Sequence, residues 1–156
     1  SFIGAAVAAA LLIVIMVYDV RHKIIPNQIV YPFITLGFLS IIWKAIVIPG
    51  FLPTPFILAG PVLAAPFFLI WFLSKGTAMG FGDVKLALGM GWFLGITASL
   101  VTFLLSFWVG AIVGLFMVAL SGAKLKSQIP FAPFLIFAFF IVGLWGVTIQ
   151  TLFPVW

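Results

Sequence analysis

The chain has 156 residues, of which 66% are hydrophobic and 6% charged, and its formal net charge is +5. A soluble domain carries roughly 25% charged residues, so a chain this apolar cannot cover itself with polar surface and its solvent is lipid. Cysteine is absent, which excludes disulfides, thiolate zinc sites and cysteine nucleophiles within this chain, and the few, scattered basic residues speak for membrane orientation rather than for nucleic-acid binding.

The first apolar segment, Phe2–Tyr18, ends at Asp19–Lys23, before Pro26 and Asn27. It lacks a basic n-region and runs straight into Asp19 and Arg21, so it reads as a mature helix and not as a secretory signal. A second segment covers about Ile29–Ile48, and Pro49, Gly50, Pro53 and Pro55 then mark a turn. The third covers Phe56–Leu73 and is followed by a glycine-rich loop, Lys75–Gly82. The stretch Val84–Leu120 is apolar apart from Lys85. It is too long for one span of about 20 residues and fits two short ones with a tight turn near Gly95–Ser99. A polar patch, Ser121–Gln128, precedes the last segment, Phe131–Trp156. Backbone groups in lipid must bond within their own segment, so every span is expected to be helical. The predicted fold is all-α, a polytopic membrane bundle of about six transmembrane helices forming one domain over 1–156.

Six helices place the loops at Asp19–Gln28, Lys75–Gly82 and Ser121–Gln128 on one side. Those loops and their edges hold Arg21, Lys23, Lys75, Lys85, Lys124 and Lys126, while Lys44 lies toward the other side. The positive-inside rule makes the rich side cytoplasmic.

The acidic inventory is two residues, Asp19 and Asp83; there is no glutamate, and His22 is the single histidine. The topology puts both acids at the same membrane face. Two carboxylates that share a proton can act as base on a water molecule and as acid toward a carbonyl, the logic of an aspartic protease dyad. Asp83 alone reads equally as a helix N-cap, and Asp19 alone as an interfacial acid beside Arg21 and Lys23. Taken together they favour chemistry, because ionisable groups at membrane depth are costly and usually functional. The helix macrodipole favours the charged form of Asp83 at a helix start, reinforced by Lys85, over that of Asp19 at a helix end. Asp83 is thus expected as base and Asp19 as acid. Gly80 and Gly82 are expected to let the backbone approach a neighbour closely, Lys85 to snorkel toward the phosphate layer, and His22 to be a solvated interfacial residue. The pairs Gly91/Gly95 and Gly110/Gly114 read as close helix packing.

Gly80-Phe81-Gly82-Asp83-Val84-Lys85 resembles the Gly-x-Gly-Asp-x-Lys signature of type IV prepilin peptidases. Asp19, with Ile25-Pro26-Asn27 a few residues on, resembles that family's other aspartate motif, and Pro130-Phe131-Ala132-Pro133 its Pro-Phe-x-Pro segment opening the last helix. The resemblance implies a membrane aspartic endopeptidase that needs neither cofactor nor metal. Asp19 and Asp83 would be catalytic, with Gly80, Gly82, Lys85, Pro26 and Asn27 as supporting motif residues. The implied substrate is a prepilin or pseudopilin, a short basic leader followed by an apolar helix, cleaved at the cytoplasmic face of a prokaryotic inner membrane. Membrane lipid is the other implied partner, and oligomeric state is left open. Many members add a cytoplasmic domain with paired cysteines linked to N-methylation. This chain shows no such domain, so it is either a single-domain form or part of a longer enzyme.

The main rival is a proton-coupled transporter using the two aspartates as relay sites. Transport carboxylates usually lie near the midplane on broken helices, and these lie at helix ends. A non-catalytic scaffold is a second rival. A His-Glu-x-x-His metalloprotease is impossible without glutamate, and no Gly-x-Ser-x-Gly is present.

Overall fold

The computed structural model of the protein describes residues 2–121 and 130–146. Among them lie six helices and no strand: α1 (Phe2–His22), α2 (Asn27–Val47), α3 (Thr54–Leu73), α4 (Phe81–Leu94), α5 (Ile96–Ser121) and α6 (Ala132–Trp145). The polar patch at 122–128 with Lys124 and Lys126, and the end of the last segment beyond 146, lie outside the described residues.

Four of these helices, α1, α2, α3 and α5, are long and apolar enough to cross a bilayer. Their outward faces carry large apolar side chains such as Ile13, Phe72, Ile112 and Leu115, which only a lipid environment accommodates in such number. The chain is an integral membrane protein. By contrast, α4 and α6 have 14 described residues each, about 21 Å at 1.5 Å per residue, against a hydrocarbon core of about 30 Å. Half of α4 is buried, and it lies packed against α2 and α3. The stretch after Asp83 divides as expected, at Gly95, whose φ of +82° is a turn conformation.

Two boundaries depart from expectation. The first helix does not stop at Tyr18 but continues through Asp19 to His22. It ends where Lys23, at φ +55°, closes the last turn through its N–H to the Asp19 carbonyl at 2.7 Å. Asp19 is therefore fixed on the last turn of α1, at the helix end where it is expected. The second helix starts two residues early, at Asn27, with the Pro26 carbonyl accepting from Ile29 and Val30, both at 3.1 Å.

The core sits between α1, α2, α3, α4 and α6. Leu12, Ile15, Phe33, Leu63, Phe67, Leu86, Met90, Leu135 and Ile136 are all fully buried. Phe67 of α3 is the hub of an aromatic cluster, with ring centroids 5.5 Å from Phe103 and Phe131 and 6.0 Å from Phe107. Burying each such side chain is worth about 1.5–3 kcal/mol relative to exposure in water, though in lipid the gain is mainly close packing. The small residues are used for that packing. A Cβ on Gly91 would collide with the carbonyl of Ala59 and with Gly60 on α3. Gly91 is thus a close-packing position as predicted, whereas its partner Gly95 lies outside the helix, in the turn. Gly110 packs on Phe134 less closely, for a Cβ there would stand 3.3 Å from the ring.

Candidate active site

One end of the bundle gathers the C-terminal end of α1, the start of α2, the α3–α4 loop, and the starts of α4 and α6. These enclose a cavity of about 300 Å³ lined by Asp19, Lys23, Ile25, residues 76–82, Asp83, Pro130 and Phe131. The two acids, 64 residues apart in sequence, thus meet at one space, close enough for their charges to interact. Both are buried, Asp19 being 5% and Asp83 7% exposed.

Asp83 occupies the first turn of α4, where Gly80 is the N-cap. The Asp83 N–H donates to the Gly80 carbonyl at 3.2 Å, and the Gly80 N–H interacts with the Asp83 carboxyl. Asp83 is thus not the N-cap but the third residue of α4, and its contact with the Gly80 N–H is half of a capping box, the other half needing a side chain that Gly80 lacks. This contact does not exhaust the carboxyl, because Asp83 Oδ1 is buried without a hydrogen-bond partner. Asp19 is arranged in parallel. The backbone N–H of Ala132, first residue of α6, interacts with its carboxyl, while Oδ2 has no partner. Each acid is therefore held by one backbone donor and keeps one oxygen for other chemistry.

The two glycines of the Gly80–Asp83 motif have different work. A Cβ on Gly82 would stand 2.7 Å from the Cβ of Ile25, a distance real side chains do not tolerate, so glycine is required there for the 23–26 loop to seat on α4. A Cβ on Gly80 would meet nothing closer than 3.9 Å, and its backbone is extended at φ −75°. The expectation of close approach is thus correct for Gly82 and wrong for Gly80, which serves through its N–H.

Lys85 is half-buried and engaged by α2. Its ammonium donates to Asn27 Oδ1 at 2.8 Å and to the Tyr31 hydroxyl at 3.1 Å, and lies 4.8 Å and 5.3 Å from the Tyr31 and Phe81 ring centroids. Its hydrogen bonds run to α2 rather than to Asp83. What it supplies instead is a direct bond between the two aspartate motifs. Pro26 caps α2 and Asn27 opens it, so all the motif residues converge on one end.

His22 is exposed and stacks on Tyr18 at 4.4 Å. Among the described residues no group of three or more His, Cys, Asp or Glu could hold a metal ion. Sequence reasoning missed Tyr31 and the role of Ala132. Tyr31 stands one helical turn after Asn27 and so on the same face, a signal that was available; the Ala132 contact depends on tertiary packing and had none.

A family model for the type IV leader peptidase family matches residues 6–115, a span holding both acids and Lys85 but not the Pro130–Pro133 segment. The chain is 30% identical over 148 residues to a protein of Xanthomonas campestris named prepilin leader peptidase/N-methyltransferase, covering 92% of this chain and 50% of that protein. Proteins of the same name from Pseudomonas aeruginosa and Legionella pneumophila are 32% and 29% identical, covering 86% and 91% of this chain and 47% and 50% of theirs. The chain spans about half the length of the curated relatives it matches. No solved structure shows significant similarity to it. Two aspartate motifs joined at one cavity, and a family match across both, lead to the same conclusion: the chain belongs to the type IV leader peptidase family.

Proposed function

We propose that this protein is an aspartic endopeptidase that removes the short basic leader of type IV prepilins or pseudopilins, with Asp19 and Asp83 as its catalytic pair. The observation that carries the reading is that the only two acidic side chains of the sequence line one cavity, each buried and each with one oxygen unpartnered. In the reaction one carboxylate takes a proton from a water molecule as it attacks the scissile carbonyl. The other, protonated, donates to the carbonyl oxygen. Collapse of the tetrahedral intermediate returns a proton to the leaving amine. Two acids suffice, and the pair titrates as a unit.

The relatives' names support the substrate class. The transporter reading gains no support from them, and both acids lie at helix ends. The enrichment of Arg21, Lys23, Lys75 and Lys85 at the cavity end, with Lys44 at the other, supports a cytoplasmic orientation of the site in a prokaryotic inner membrane. The proposal is confined to the peptidase activity, and it takes the chain's described helices as one peptidase domain.

The test is direct. The purified chain in detergent or lipid nanodiscs is incubated with a prepilin-like peptide, and leader release is followed by mass spectrometry. Cleavage at the junction of leader and apolar segment is expected. Absence of cleavage by a folded, membrane-inserted chain overturns the reading.

A further inference from the structure

The helix that carries Asp83 is held at both ends by a lysine, and both lysines bridge the same pair of helices. At the cavity end, Lys85 of α4 reaches Asn27 and Tyr31 of α2. At the far end the direction reverses. Lys44 of α2 donates to the carbonyl of Phe93, in the last turn of α4, at 3.0 Å, and stands 4.3 Å over the Phe56 ring of α3.

Each contact has a physical reason. The last carbonyls of a helix lack intrahelical donors and carry the negative end of the macrodipole, so an ammonium at Phe93 both satisfies a carbonyl and opposes that charge. The Phe56 ring adds a cation–π contact. Lys85 is the fifth residue of α4, past the first turn where the dipole acts most strongly, and it is held by its two hydrogen bonds. Between the clamps the α2–α4 seam is unusually close. A Cβ on Gly37 would stand 2.8 Å from the Gly89 carbonyl, and one on Gly89 would stand 2.8 Å from the Phe33 ring. Glycine seams favour close approach but carry few side chains to fix position along the axis.

We propose that Lys44, at the opposite end of the bundle from the acids, is a positioning residue for Asp83, acting with Lys85 to fix α4 along α2. Its activity readout rests on the peptidase reading above. Helix α4 is short and rigid, so an axial shift at Phe93 is passed to Asp83 along about 15 Å of helix. A displacement near 1 Å is enough to lower a catalytic rate up to about a hundredfold.

The experiment uses Lys44→Met, which keeps the apolar stem and removes the ammonium, and Lys44→Arg, which retains a donor. With a prepilin-like peptide, Lys44→Met is expected to lower kcat about tenfold at unchanged KM, and Lys44→Arg to restore most of it. A structural readout is independent of activity. The sequence has no cysteine, so Ile46→Cys and Leu88→Cys give unique sites for spin labels on α2 and α4. Pulsed paramagnetic resonance in nanodiscs is expected to show one narrow distance with Lys44 in place, and a shifted or broadened one in the Lys44→Met variant. An unchanged distance overturns the proposal. So does a changed distance with unchanged kcat in a wild type that cleaves. A changed distance in a chain whose wild type shows no cleavage upholds the clamp and sinks the peptidase reading instead.

Discussion

The two ends of this bundle are built from the same helices and differ in what they leave unsatisfied. At the cavity end, two buried carboxyls each accept one backbone N–H and retain a partnerless oxygen. At the far end, the polar group of consequence, the half-buried Lys44, is engaged by a carbonyl and a ring. A polar group in an apolar interior costs several kcal/mol unless paired; Lys44 is paired within the protein, whereas both acids face the cavity, where a substrate or water can meet them. The contrast separates a site from a staple.

The largest effect should come from the acids. Asp19→Asn and Asp83→Asn keep shape and hydrogen-bonding capacity but remove the shared proton. Each should cut leader cleavage by on the order of 10²–10⁴-fold with membrane insertion intact, measured by peptide cleavage and by expression in the membrane fraction. Full activity in either variant would remove that residue from the catalytic pair.

How much of this contrast is legible in the sequence depends on what range of interaction sets it. The helices follow from hydropathy and from Pro and Gly punctuation, because lipid permits few alternatives to a helix. The acids stand out because there are only two. Asp19 reads as a boundary residue because a charged run resembles a loop, yet the helix continues to His22 and ends where Lys23 turns left-handed. The destination of Lys85 escapes the sequence because snorkelling is a property of one helix, whereas Asn27 and Tyr31 belong to another. The motif glycines look equivalent in sequence, and only the seat of Ile25 on Gly82 tells them apart.

That difference yields the next test. Gly82→Ala should lower cleavage about 10–100-fold by pushing the 23–26 loop off α4, whereas Gly80→Ala should cost less than a few fold. The clash is between Cβ atoms, 2.7 Å apart, so Ile25→Ala should fail to rescue Gly82→Ala and Ile25→Gly should restore part of the activity. Rescue by both would place the conflict in the outer atoms of Ile25 instead.

At mid-bundle the expected effect moves from activity to stability. Gly91→Ala drives a methyl group into the α3 backbone at Ala59 and Gly60, where no side-chain rotation relieves it. Overpacking of this kind costs typically about 1–3 kcal/mol. Thermal unfolding in detergent should show a clearly lowered midpoint, and a neutral result would mean that α3 and α4 separate easily.

The smallest effect sharpens the comparison most. Ser99 of α5 is fully buried, and its hydroxyl has no hydrogen-bond partner. By that criterion alone it resembles the two acids. It differs in place, since it follows Gly95 by one turn, its N–H bonding the Gly95 carbonyl at 3.0 Å, at the end of α4 opposite Asp83, and it does not line the acid cavity. A buried hydroxyl without a partner carries a desolvation penalty, and replacing it by an apolar group of similar size is nearly neutral or stabilising. Ser99→Ala should therefore leave cleavage unchanged and hold or raise the unfolding free energy by up to about 1 kcal/mol, seen as an equal or higher unfolding midpoint. Thr102→Val is the control, because Thr102 donates to the Ala98 carbonyl at 2.9 Å while that carbonyl retains its place in the helix, so its loss should also be small. If Ser99→Ala lowers cleavage while Thr102→Val does not, an unpartnered oxygen at the far end has a function too, and the division between site and staple must be redrawn.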